Sequence, residues 1–167
     1  MISPEKIRKY PFFSGFSFPQ IEKIAKFSQE LDIEEGFLFF QDGDQLDHMY
    51  VLEEGLVDIC LDIPDPDMTE DDVETIAGEY ANKMLSVAGL KKGDIFGWTS
   101  LIPPYFTSAG ALAHTNCKVI AIDARRLENY FQGDWQFGYK MAIKIAQVIR
   151  ERVRGLRLES INWNSEC

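Results

Sequence analysis

The chain has 167 residues, 46% hydrophobic and 26% charged, which is the balance of one ordinary globular domain and excludes disorder and fibrous repeats. Its 27 acids against 17 bases leave a net charge of −10, a poor balance for general nucleic-acid binding, because affinity for phosphate backbones rests on Lys and Arg. No apolar run approaches the roughly 20 residues that cross a bilayer, the start has no secretory pattern, and Cys60, Cys117 and Cys167 share no disulfide or metal spacing, so a reduced cytoplasmic location is expected.

Ser3-Pro4-Glu5 predicts a short helix over Lys6 to Lys9, with Ser as the cap, Pro in the first turn and Glu at the positive dipole end. Pro11 ends it. Ser17-Phe18-Pro19-Gln20 is a second start signal, and Ile21, Ile24, Ala25 and Phe27 give that helix one apolar face. From Ser28 the period changes to that of strands. Leu31 and Ile33 alternate with acids, Phe37 to Phe40 is a short apolar run, and Met49 to Leu52 is the next. A longer strand follows from Leu56 to Ile63, and turns fall at Glu35-Gly36, Asp42-Gly43-Asp44 and Glu54-Gly55. Short strands punctuated every eight to twelve residues suggest a sandwich or barrel.

Residues 64–83 break the rhythm as an acidic insert. Thr69 can cap a helix whose Val73, Ile76, Ala77, Tyr80 and Met84 fall at helical spacing, although Gly78 weakens it; an extended strand hairpin is the alternative. The acids there lack the turn Gly and closing Glu of a calcium loop, so no metal is expected. Leu85 to Leu90 is again a strand, Lys91-Lys92-Gly93-Asp94 a turn, and Ile95-Phe96 the next approach to the core. Ala109 to His114 and Cys117 to Ile122 are two more strands. Asp123 caps a short helix through Tyr130, and Asp134 caps a long one to Leu158. Along the long helix Tyr139, Ala142, Ile145, Val148, Ile149, Val153 and Leu156 step by three and four.

Charge is unevenly spread. Residues 28–81 hold 18 acids and no Lys or Arg, whereas Lys140 to Arg157 holds six bases and one acid, Glu151. The plain reading is a solvated acidic sheet and a basic terminal helix; the sharper one is that the helix docks on acidic surface, its own or a partner's.

The order of helices and strands, with Gly43-Asp44 before a strand, Glu54-Gly55 after it, and then Gly93-Asp94-Ile95-Phe96-Gly97, resembles the cyclic-nucleotide-binding domain over roughly Tyr10 to Arg157. The resemblance implies a mainly β fold: a double-stranded β-helix, or jelly roll, with N-terminal helices and a long C-terminal helix. It implies one domain over 1–167, with N-terminal helices in 1–27, the roll in 28–123 including the acidic insert, and C-terminal helices in 124–158. The last Gly run is the family's entry to a phosphate-binding cassette, in which a short helix aims its amides at a cyclic phosphate. In the family a Glu after Phe-Gly accepts the ribose hydroxyl and a later Arg pairs with the phosphate.

At those positions this chain has Trp98 and Thr107, followed by Ser108, and no Lys or Arg occurs from Phe96 to Ala113. An indole has no acceptor for a ribose hydroxyl, and Thr brings no charge. Losing the charge-assisted bond to an anion costs about 2–5 kcal/mol. The run Phe96-Gly97-Trp98 followed by Pro103-Pro104-Tyr105 is similar to short bacterial members that share the substitution. Phe96, Gly97, Trp98, Thr99, Ser100, Thr107 and Ser108 are therefore the candidate ligand site, of a variant type. Trp98 is read first as filler of the former ligand space, Pro103-Pro104-Tyr105 as a rigid turn, and Gly97 as a position needing close approach or positive φ.

Other chemistry finds no support. His48 and His114 stand far apart with no His-x-His, so the metal catalysis of the related cupins is not expected, and no nucleophile elbow or phosphate loop occurs. The expectation is a non-catalytic regulatory or sensor module that binds cyclic AMP and cyclic GMP weakly. Its ligand would bias the packing of the long helix. The alternatives are another, less charged small ligand in a remodelled pocket, or a pure dimerisation or protein-interaction module with Trp98 packed across the pocket. No cofactor is certain. A homodimer through the C-terminal helix and a protein partner are expected, with neither membrane nor direct nucleic-acid contact. Nine residues follow Leu158, too few for the DNA-binding motif of related transcription factors.

Overall fold

The structure is a computed structural model and describes residues 2–64 and 82–164. The chain forms two compact units, one spanning Glu30–Ala121 and the other made of residues up to Gln29 together with those from Ile122.

Eight strands build the roll: β1 (Ser28–Ile33), β2 (Leu38–Phe40), β3 (His48–Glu54), β4 (Val57–Pro64), β5 (Asn82–Leu90), β6 (Ile95–Phe96), β7 (Gly110–Ala113) and β8 (Cys117–Asp123). They form two four-stranded sheets, in the orders β1-β8-β3-β6 and β2-β7-β4-β5. Partners are distant in sequence, as in a double-stranded β-helix. Phe40, Leu46, Leu52, Val57, Leu90, Phe96, Ala111, Ala113, Cys117 and Val119 make one buried core. Each large apolar side chain there contributes roughly 1.5–3 kcal/mol on burial. Gly55 turns β3 into β4 at φ 91, and a Cβ there would lie 2.7 Å from the Cys117 sulfur, so the position needs glycine twice over.

Two details differ from the sequence reading. The helix expected to end at Met84 falls mostly outside the described residues, and Met84 itself lies in β5. The β4–β5 pairing runs from Val57↔Leu90 to Pro64↔Asn82, with a bulge at Val87 between Ile59↔Ala88 and Cys60↔Ser86, so both ends of the 64–83 segment are extended strand. The second difference is the long helix, which runs past Leu158 to Asn164.

The helical unit holds α1 (Pro4–Arg8), a 3-10 turn over Pro11–Phe13, α2 (Phe18–Lys26), α3 (Ala124–Phe131) and α4 (Trp135–Asn164). Its starts are capped as composition dictates. The Ser3 hydroxyl accepts from Lys6 N, the Gln20 side chain from Ser17 N at 3.0 Å, Asp123 from Arg126 N at 2.9 Å and Asp134 from Phe137 N at 3.0 Å. Phe137 is fully buried, with the Phe131 and Phe16 rings 4.9 and 5.5 Å away edge-on. Lys140 and Lys144 donate to Gly15 O and Ser14 Oγ at 3.0 and 3.1 Å, tying the first half of α4 to the turn before α2. No helix among the described residues is long and apolar enough to cross a membrane.

Candidate functional site

β6 is short because Gly97 ends it. Phe96 pairs with Tyr50 on β3, and the two rings stack at 5.0 Å, with Phe39 edge-on to both at 5.3 and 5.0 Å. Gly97 then adopts φ 68, and a Cβ there would meet the His48 carbonyl oxygen at 2.9 Å and the Tyr50 ring at 3.1 Å. Positive φ and close approach both apply, so glycine is required whether or not a ligand binds.

After Gly97 the chain makes a 3-10 turn over Trp98–Leu101, in which Ser100 N donates to Gly97 O at 3.1 Å. Trp98 and Thr99 are half-buried. Trp98 is thus neither a fully buried plug nor a free surface residue. Ser100 is fully buried, and its hydroxyl has no hydrogen-bond partner among the described residues. An unmatched buried hydroxyl costs about 1–3 kcal/mol. Tyr105 takes φ 71, an uncommon left-handed conformation for a bulky residue.

Thr107 is buried, but its hydroxyl is committed locally, donating to Ala109 O at 3.0 Å and accepting from Ala109 N at 3.3 Å. Ser108 is exposed. The structure therefore holds Phe96, Gly97, Trp98, Thr99 and Ser100 together where β6 runs into the 3-10 turn. Thr107 and Ser108 sit on the return segment. Sequence position matched Thr107 to a phosphate ligand, yet its side chain serves the backbone of its own turn.

The return segment is fastened to the β2–β3 connection. Gly43 N donates to Thr107 O at 2.8 Å, Thr107 N to Asp44 O at 2.9 Å and Leu46 N to Tyr105 O at 3.0 Å. Beside it lies a cavity of about 260 Å³ lined by Phe39, Phe40, residues 44–48 and Tyr50. Phe40, His48 and Tyr50 are also the walls against which Gly97 sits. The cavity contains none of the seven residues expected from sequence, and it carries the Asp44 and Asp47 carboxylates with no Lys or Arg. Asp44 already accepts from Gln41 N at 2.9 Å. Burial raises the Tyr50 hydroxyl above its ordinary pKa of 10.0, so it stays neutral at physiological pH. Sequence reasoning missed this recess because acids in a Gly turn read as solvated charge. The clustering of Phe37, Phe39, Phe40 and Tyr50 was the available signal.

Among the described residues no group of three His, Cys, Asp or Glu is placed to hold a metal ion. His114 Nδ1 lies 2.7 Å from an Asp58 oxygen on the roll surface, a pair without a third ligand.

The family described as cyclic nucleotide-binding domain matches residues 30–134. No curated protein sequence matches the chain. Among solved structures the chain is similar to a candidate cyclic nucleotide-binding protein from Geobacter metallireducens GS-15, with 26% identity, 92% of this chain and 99% of that chain covered, and a TM-score of 0.74. It is similar in fold to a cyclic nucleotide-binding domain from Methylobacillus flagellatus KT, at 19% identity over 95% of this chain and 80% of that one, with a TM-score of 0.72. It is also similar in fold to the catabolite activator protein of Thermus thermophilus, at 20% identity over 90% of this chain and 63% of that one, with a TM-score of 0.62.

Proposed function

The chain belongs to the cyclic nucleotide-binding domain family, and from that premise we propose that it is a non-catalytic regulatory module whose cassette no longer holds cyclic AMP or cyclic GMP tightly. The observation that carries this reading is the absence of any Lys or Arg from Phe96 to Ala113, with Thr107 spending its hydroxyl on Ala109. Nothing in that stretch neutralises a cyclic phosphate, and the carboxylates of the neighbouring cavity add charge of the same sign as the ligand. Trp98 offers a ribose hydroxyl no acceptor. The free thiols of Cys60 and Cys117, both buried, fit a reducing cytoplasm.

Titration calorimetry with both nucleotides tests the reading. Dissociation constants weaker than about 10 μM, some −7 kcal/mol, are expected, and a tighter saturable signal would overturn it. Thr107→Arg combined with Trp98→Glu is expected to raise affinity; a folded double variant with no gain would assign the loss to pocket shape instead of charge.

A second reading rests on Ser100. Its buried, unmatched hydroxyl is the kind of group that a bound molecule satisfies, which favours a less charged small ligand at the same turn. Native mass spectrometry of freshly purified protein reads this directly as an added mass. We also propose a homodimer through α4, whose Trp135, Tyr139, Ile143, Val153 and Leu156 are exposed.

A further inference from the structure

The recess beside the cassette turn combines aromatic rings with negative charge. Four of its eight lining residues carry rings: Phe39, Phe40, His48 and Tyr50. Phe39 and Phe40 are neighbours on β2, and regular strand geometry would face them opposite ways. The β2–β7 register shifts between Leu38 and Phe40, however, and both rings approach Phe96, at 5.0 and 6.3 Å between centroids. His48 and Tyr50, two apart on β3, share a face, with ring centroids 6.3 Å apart. Asp44 and Asp47 also line the recess, and no Lys or Arg does. The arrangement is held before any ligand arrives. Asp44 accepts from Gln41 N at 2.9 Å, which orients its carboxylate. Leu46 N donates to Tyr105 O at 3.0 Å and Gln45 bridges to Phe106, so the backbone that carries both acids is tied to the return segment.

We propose that this recess is a binding site for a small organic cation, an alkylammonium whose charge meets Asp44 and Asp47 and whose carbon skeleton meets the rings. Other occupants leave part of the lining unused or opposed. Both carboxylates repel an anion. A neutral molecule gains nothing from them, whereas a cation gains from the carboxylates and from the electron-rich faces of the rings. No group of three ligating side chains occurs among the described residues, which disfavours a bare metal ion. The volume of about 260 Å³, against roughly 30 Å³ per water molecule, admits a skeleton of several carbons. The Tyr50 phenol, kept protonated by burial, adds no charge of its own. The site also has a short route to the cassette. A Cβ at Gly97 would meet the Tyr50 and Phe40 rings at 3.1 and 3.5 Å, so a ligand that shifts either ring is felt at Gly97. The inference stands apart from the nucleotide reading: it uses none of Trp98, Thr107 or Ser108, and neither result decides the other.

The test uses three molecules of one shape and different charge: neopentylamine, neopentyl alcohol and pivalate. Each is titrated into the full chain at neutral pH while backbone amide resonances are followed. The amine is expected to saturate with a dissociation constant below about 10 mM, at least about fivefold tighter than the alcohol, and to weaken as salt rises. It should shift the amides of residues 44–50 and of Gly97, and pivalate should shift none of them. Asp44→Asn keeps an oxygen to accept from Gln41 N; combined with Asp47→Asn it should cut the amine affinity at least about fivefold and leave the alcohol unchanged. Asp47→Asn alone, which leaves the Gln41 turn untouched, should weaken the amine about twofold or more. The proposal is overturned by no saturation at about 50 mM amine, or by equal binding of the alcohol, which marks apolar contact alone. It is also overturned by undiminished amine affinity in both carboxylate variants, or by shifts confined to the acidic face of β4, which mark charge adhesion elsewhere.

Discussion

Gly97 and Tyr50 are joined by one contact, and each makes a separate prediction. A side chain at Gly97 must adopt φ 68 and press on the His48 carbonyl at 2.9 Å, a backbone atom that cannot move aside cheaply. Gly97→Ala is therefore expected to lower stability by about 1–3 kcal/mol, read as a shift in urea midpoint with the slope unchanged. No shift would mean that the turn is loose. Tyr50 is different, because its effect appears only in alkali. Its folded pKa is raised by burial, so its contribution is intact below the ordinary value of 10.0 and is lost as pH rises from there through the folded value. The unfolded chain sheds the proton first. Urea midpoints measured from pH 8 to 11 should fall at the top of that range, and Tyr50→Phe should flatten the fall. An unchanged slope in that variant would place the alkaline loss on other groups.

At the scale of elements, caps and turn glycines were legible because each has a local physical cause. Ser3, Ser17, Asp123 and Asp134 announce helix starts, and Gly43, Gly55 and Gly93 mark turns of positive φ. The rest depended on partners far away in sequence. The sequence of residues 64–83 left a helix and an extended hairpin both open and did not fix the register of 82–84 against 62–64, and nothing in Thr107 says that Ala109 will take its hydroxyl. The long helix shows the same limit. Its sequence offers apolar residues on two opposite faces, and only the fold chooses which is buried. Phe137, Met141 and Ile145 are the inward set, at most 3% exposed, whereas Trp135, Tyr139 and Ile143 point outward at 73%, 62% and 42%. Ile145, one of the apolar series that the sequence shows along this helix and through which a homodimer was expected, belongs instead to the core of its own unit. Ile145→Asp is accordingly expected to destabilise the fold by several kcal/mol, since it buries a charge without a partner. Val153→Asp, at a position 40% exposed, should stay within about 0.5 kcal/mol of the parent. Thermal melts of the two variants decide it, and equal melting temperatures would return Ile145 to the surface.

For the whole molecule the decisive quantity is charge, because each copy carries −10 and any self-association works against it. The proposed homodimer adds a second opposition along α4, where Arg150, Arg154 and Arg157 follow the exposed aromatic end. The 30-residue helix is about 45 Å long at 1.5 Å per residue. At 100° per residue Trp135, Tyr139, Ile143 and Val153 fall on one stripe with Arg150 and Arg157. Two copies meeting on that stripe bury aromatic and aliphatic surface worth roughly 1.5–3 kcal/mol per large side chain, while like charges resist. The attraction is hydrophobic and insensitive to moderate salt. The repulsion is screened, its range shrinking from about 30 Å at 0.01 M to about 8 Å at 0.15 M. Dimerisation is therefore expected to strengthen as salt rises. Light scattering at tens of micromolar protein, from 10 to 300 mM salt, should show mass moving from monomer towards dimer. Trp135→Asp and Val153→Asp should shift that balance back, while leaving the melting temperature unchanged at 10 mM salt, where the parent is monomeric. A monomer at every salt, or dimers indifferent to both substitutions, removes this stripe as the interface, and dimers that dissociate with salt show instead that acidic and basic surfaces of two copies hold each other.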